Sequence, residues 1–229
     1  MKQLSIPMTK AEKLGTWIYL FVQMFLLPPM MYIINDLLPR PLSDAGLNFV
    51  FFSLNFICVT VICHKYLLAS VRKALAQPSL CLRSAFLGLL LYYVGSFAVN
   101  FLIAYVKPDF INANDSSIAD LVQDNYTLIS IGTVLLVPPV EEVFYRGLIF
   151  RGLFSRSRVA AYAVSAAIFS AIHITGYLGV YDPVSLGLSF LQYLPAGLCL
   201  GWAYAKADNI LAPILIHMAV NQIASYAMR

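Results

Sequence analysis

Pro138-Pro139-Val140-Glu141-Glu142-Val143-Phe144-Tyr145-Arg146-Gly147 sets two carboxylates and a guanidinium inside a run that is otherwise apolar enough to cross a membrane. Between Leu128 and Phe154 the only formal charges are Glu141, Glu142, Arg146 and Arg151. A charge near mid-bilayer costs at least about 2.5–3.5 kcal/mol, so an ionisable group there is a functional hypothesis by default. On a helix Glu142 and Arg146 are i and i+4, neighbours on one face and able to pair. Glu141 is rotated by about 100° and has no basic partner within a turn. One acid is neutralised and the other is left available, as a general base would require.

The rest of the chain fixes the setting of that stretch. Its 229 residues are 60% hydrophobic and only 11% charged, with a mean hydropathy of +0.77. Soluble domains carry about 25% charged residues. The expectation is an all-α, polytopic transmembrane helical bundle of about seven to eight helices, since a span needs roughly 20 apolar residues. The net charge of +4 reflects loop lysines and arginines beside anionic lipid. No basic stripe with interleaved aromatics is present, which excludes a nucleic-acid partner. Cys58, Cys63, Cys81 and Cys199 form no CxxC and read as buried small hydrophobes. The basic N-terminus precedes a long apolar segment with no small-residue cleavage site, so a retained first span is expected.

Apolar runs place spans at about Leu14–Leu38 (interrupted by Pro28-Pro29), Gly46–Leu68, Arg83–Val106, Tyr126–Phe154, Val159–Tyr177, Val184–Ala205 and Ile210–Met228. Ala69–Leu82 is short, basic and amphipathic, as an interfacial helix or loop would be. Lys107–Asn125 is the most polar stretch and reads as a loop. Residues 1–120 read as N-terminal helices and a polar loop without a signature, and 121–229 as a helical core that carries the charged stretch. One set of span ends carries Lys2, Lys10, Lys13, Lys65, Arg72, Lys73, Arg83, Arg151, Arg156, Arg158 and Lys206, the other Arg40, Lys107 and Arg229. The positive-inside rule puts the first set in the cytoplasm, with the C-terminus outside for seven spans. A break at Pro138-Pro139 or an eighth, re-entrant helix would flip it.

Two further spans carry polar groups foreign to lipid: Phe169-Ser170-Ala171-Ile172-His173 and His217-Met218-Ala219-Val220-Asn221. His217 and Asn221 share one face at i,i+4. Taken singly, each has a structural explanation: an intramembrane His bonding a carbonyl, a Glu–Arg clamp, an Asn joining helices. Jointly, a free carboxylate, two imidazoles and a carboxamide on three helices point to one site. The depths are uneven, however. At 1.5 Å per residue, His173 lies about 21 Å into its span and His217 only about 11 Å into its own.

Glu141-Glu142-x-x-x-Arg146, Phe169-x-x-x-His173 and His217-x-x-x-Asn221 resemble, in order and spacing, the three signature motifs of the CAAX protease and bacteriocin-processing (CPBP) family of intramembrane proteases, related to the type II CAAX prenyl endopeptidase. The resemblance covers roughly Leu121 to Arg229. It implies a glutamate-dependent endopeptidase in which Glu141 and His173 activate water, His217 and Asn221 face the oxyanion, and Glu142 and Arg146 lock the helix. Phe169 is expected to pack, and Gly147 and Gly152 to admit close helix approach. One carboxylate with two imidazoles would also suffice for zinc. The absence of His-Glu-x-x-His favours a metal-free site with no cofactor. The implied partners are the lipid bilayer and a membrane-associated peptide or protein substrate, in a bacterial cell membrane. The competing readings are a non-catalytic scaffold or bacteriocin self-immunity protein and, lower, a proton or ion transporter, which usually shows repeated halves.

Overall fold

The computed structural model describes residues 4–229; Lys2, counted above among the basic residues, lies outside them. Among the described residues eight helices follow one another: α1 Lys10–Asp36, α2 Asp44–Ile62, α3 His64–Ala76, α4 Pro78–Val106, α5 Ala113–Phe154, α6 Arg158–Thr175, α7 Pro183–Ala207 and α8 Leu211–Ala227. All but α3 and α8 are long and apolar enough to span a membrane, and α8 is a shorter apolar helix. Apolar side chains such as Trp17, Phe21, Phe25, Phe86, Phe97 and Phe101 point outward. A soluble surface would not carry such a belt. The chain is an integral, multi-pass membrane protein, and the expected helical bundle is borne out.

Three boundaries differ from those read in the sequence. The amphipathic segment starts at His64, where the backbone turns at Cys63 (φ −103°, ψ 21°), and buries the i,i+4 stripe Tyr66, Ser70 and Ala74. It ends at Ala76 because Pro78, needing no N–H donor in a first turn, opens α4 five residues before Arg83. The polar stretch is half helix. Asn112 accepts from the Asn114 and Asp115 amides and starts α5 at Ala113. The boundary expected at Tyr126 survives as a kink at Asn125 (φ −155°, ψ 92°). Finally, neither proline pair breaks its helix. Each follows a π-widened turn, Val22–Leu26 in α1 and Gly132–Leu136 in α5. Such a turn re-registers the backbone bonds just where donors are missing.

The two ends of the bundle are built differently. At the basic end the Leu4 carbonyl accepts from Arg151, and the Ser5 amide donates to Asp208. Lys73 pairs with the same Asp208 at 2.5 Å. Asn209 donates to the Ser70 carbonyl, and Ile210 is fully buried. The α7–α8 turn is therefore sunk beneath α3 and the N-terminal segment, and α8 begins well inside the bundle. This resolves the uneven depths: His217 is near the start of its helix, but that start is already deep. At the opposite end Lys107 meets Asp182 and Ser185, and Arg229 covers the Tyr126 ring.

Candidate active site

Helix α5 widens again to π geometry over Val143–Phe150, one residue after Glu142, and every residue of that turn is buried. Its neighbours pack against it closely. A Cβ on Gly147 would sit 2.8 Å from the Met8 side chain and 3.1 Å from the Tyr66 ring. At Gly152 nothing lies within 4 Å. The close approach expected at Gly152 is absent, because the bundle has opened there toward the α5–α6 turn.

Inside this turn Glu142 and Arg146 are both completely buried. Arg146 Nη1 donates to Glu142 Oε1 at 3.0 Å, and Nη2 donates to the Gly197 carbonyl of α7 at 3.2 Å. The guanidinium lies over the Phe169 ring, 4.7 Å from its centre, so Phe169 packs against a charge. Gly197 is what lets α7 come near. A Cβ there would meet the Ala166 backbone at 2.7 Å.

Glu142 also orients the next helix. His217 Nδ1 lies 2.9 Å from Glu142 Oε1. A carboxylate paired with arginine only accepts, so Nδ1 carries the proton and donates. The other ring nitrogen, Nε2, then faces Glu141 Oε2 at 3.9 Å. That oxygen is buried and has no hydrogen-bond partner. The two adjacent glutamates thus end in different states: Glu142 is held through Oε1 by Arg146 and His217, although its Oε2 has no partner, while Glu141 is held by no hydrogen bond.

His173, two residues before the end of α6, places Nδ1 2.7 Å from the Phe169 carbonyl. A carbonyl only accepts, so Nδ1 donates and, in the neutral ring, Nε2 is the free base. The ring stacks on Tyr193 of α7 at 4.2 Å between centres. Asn221, one turn beyond His217, donates to the Thr133 carbonyl at 2.8 Å. That carbonyl is available because Val137 donates to Gly132 instead and the next residue, Pro138, has no N–H.

Glu141, His173, His217 and Asn221 all line one cavity of about 340 Å³. All four predicted positions are thus brought together, with Glu142 and Arg146 directly behind them. Among the described residues no three His, Cys, Asp or Glu side chains converge closely enough to hold a metal ion. A second, apolar cavity of about 230 Å³, lined by Phe51, Phe52 and Phe144, reaches Glu141 from the α1–α2 side.

Sequence reasoning missed the far wall. Tyr92 and Asn100 of α4, Asn114 and Asp115 of α5, and Gln192 and Tyr193 of α7 line the larger cavity. Tyr193 donates to Asp115 at 2.9 Å and accepts from Asn114 at 2.9 Å. Asn112 donates to Gln192, which donates to Asn100. Two signals were present: Asn112 as a helix-starting residue, and the polar pair Gln192-Tyr193 inside an apolar span. Of the cysteines, Cys63 and Cys81 are buried and Cys58 and Cys199 half-buried.

Fold and cavity together define a polytopic helical membrane protein with an ionisable Glu/His/Arg centre enclosed between its helices. Residues 123–223 match the family model described as type II CAAX prenyl endopeptidase Rce1-like, and the resemblance carried by the three motifs is borne out over that segment. Across 95 residues the chain is 25% identical to UPF0177 protein YxdF of Lactococcus lactis subsp. lactis (strain IL1403), covering 42% of this chain and 47% of that protein. The chain thus spans about half the length of the curated relative it matches. No solved structure matches it.

Proposed function

We propose that this protein is an intramembrane endopeptidase, glutamate-dependent and metal-free, acting on a membrane-associated peptide or protein. The observation that carries the proposal is the convergence of Glu141, His173 and His217 from three helices on one cavity. Glu141, with its uncommitted oxygen, and His173, with its free Nε2, take a proton from water as it attacks the peptide carbonyl. The protonated acid then passes that proton to the leaving amine, so the base is regenerated. His217 faces the same space with its orientation set by Glu142. Donation to the oxyanion from Nε2 requires the doubly protonated ring, because the Nδ1 proton is committed. Asn221 serves the oxyanion with the amide proton not given to Thr133. One such donor is worth about 2.7–4 kcal/mol in a water-excluded site.

The metal-free reading is supported by the spacing of the donors: among the described residues no three His, Cys, Asp or Glu side chains converge closely enough to hold a metal ion. The Rce1-like match supports the reaction class. The lysines and arginines of the basic end support a cytoplasmic placement of that end. Purified protein in proteoliposomes, challenged with quenched fluorescent peptides, tests the reading. Cleavage should vanish in Glu141→Gln and His173→Ala while folding is retained, and should survive exhaustive chelation. Complete loss on chelation, restored by zinc, overturns the metal-free assignment. Full activity in Glu141→Gln overturns the mechanism.

A further inference from the structure

The larger cavity has a charge pattern that the proposed chemistry does not use. Its lining contains Glu141 and Asp115 but no lysine or arginine. Glu142 is matched by Arg146, outside the lining. Of the loop cations at this end, Lys107 is engaged by Asp182 and Ser185, and Arg229 covers the Tyr126 ring. Low-dielectric walls focus the field of these carboxylates, which favours a cation over a free carboxylate beside Asp115.

Asp115 is pre-set for such a contact. Oδ1 accepts from Tyr193, whose hydroxyl is itself held by Asn114. Oδ2 has no hydrogen-bond partner and is not among the atoms sealed from solvent. The residue is not needed to cap its helix, since Asn112 does that. Tyr193, the group that holds Asp115, is also the ring stacked on His173. The carboxylate is therefore one side chain away from the reacting groups.

We propose that Asp115 forms an anionic subsite in the cavity wall, which takes a basic group of the substrate, a lysine or arginine side chain or an N-terminal ammonium. This rests on the endopeptidase reading and specifies its substrate class. Asp115 and the reacting groups line the same cavity, so the basic group falls on a residue near the scissile bond. A charge-assisted contact of this kind is roughly twice as strong as a neutral one, enough for a preference of about tenfold or more.

The test uses matched peptides carrying Lys, Gln or Glu at each position near the scissile bond, each with a free or acetylated N-terminus. Lys over Gln by about tenfold in kcat/KM, independent of acetylation, assigns a side-chain subsite. Loss of the preference on acetylation assigns a terminal ammonium. In Asp115→Asn the Lys/Gln ratio should fall to near one, in Asp115→Glu it should persist, and in Asp115→Lys it should invert toward the Glu peptide. Binding of the same peptides to Glu141→Gln, read by fluorescence anisotropy, separates the two claims. Charge-selective binding without cleavage by the wild type sinks the endopeptidase reading and leaves the subsite. Equal handling of Lys, Gln and Glu peptides, or a ratio unchanged in Asp115→Asn, overturns the subsite.

Discussion

Replacing Arg146 by methionine removes the only cation that faces Glu142 from its own helix. Both side chains are completely buried and joined at 3.0 Å. Breaking one partner of a buried pair leaves an uncompensated charge and costs about 3–5 kcal/mol. The contacts with Phe169 and the Gly197 carbonyl go at the same time. Glu142→Gln leaves Arg146 unpaired and should cost a similar amount. Additive behaviour would put the double variant at roughly 6–10 kcal/mol, twice the single cost. The geometry predicts otherwise. With both charges gone no buried ion remains, and the double variant should be more stable than either single one. Activity should not follow, because His217 loses the carboxylate that orients it in the double variant and in Glu142→Gln. Equilibrium unfolding in mixed micelles gives the stabilities, and the peptide assay gives turnover. A single variant within about 1 kcal/mol of wild type, or a double variant at the additive sum, would refute the buried-pair account.

Gly197→Ala places a methyl group 2.7 Å from the Ala166 backbone and should destabilise by about 1–3 kcal/mol in the same unfolding assay, because α6 and α7 must part. Asn221→Ala leaves the Thr133 carbonyl without its donor, at a cost of about 1–3 kcal/mol. In a Pro138→Ala background, where a backbone N–H is restored, that cost should shrink; equal costs would show that the proline does not create the opening. Burial raises the Asp208 carboxyl, but hydrogen bonds from Lys73 and Ser5 outweigh it and hold the group below its ordinary value of 3.8. A lowered carboxyl contributes stability above 3.8 and loses it as pH falls through the folded value. The protection factor of the Ser5 amide, the ratio of an open amide's exchange rate to its own at the same pH, should therefore stay high near neutrality and fall in acid, whereas Asp208→Asn should lose protection at every pH.

Much of this arrangement was legible because charge is conspicuous in an apolar chain. Glu141, Glu142, Arg146, His173 and His217 stand out by type alone, and i,i+4 spacing correctly paired Glu142 with Arg146. What spacing could not supply was the third partner, His217, which lies 75 residues along the chain. The depth of α8 was hidden for a related reason. A buried turn at Asp208–Ile210 depends on Ser5, Ser70 and Lys73, none of which is local to it. The cavity's far wall was obscured differently: Asp115 lies in a segment whose polarity reads as loop, although Asn112 makes it helix. Membrane proteins blur that distinction, since a polar helix lining a cavity and a solvated loop have similar composition.

Adjacent glutamates on one helix reach opposite fates through what stands behind each. Glu142 points into the π-widened turn, where Arg146, His217 and, through Arg146, the Gly197 carbonyl form one continuous set of charged contacts. Glu141 points to the cavity, where the nearest ring nitrogen is 3.9 Å away, beyond hydrogen-bond reach. A shorter contact would convert it into a second structural ion pair and remove a base from the site. The gap is maintained because His217 is drawn to Glu142 by its other nitrogen, while Asn221 ties α8 to the carbonyl that Pro138 releases. The proline pair and the second glutamate therefore act together: they hold His217 close enough to Glu141 to share its space and too far away to neutralise it.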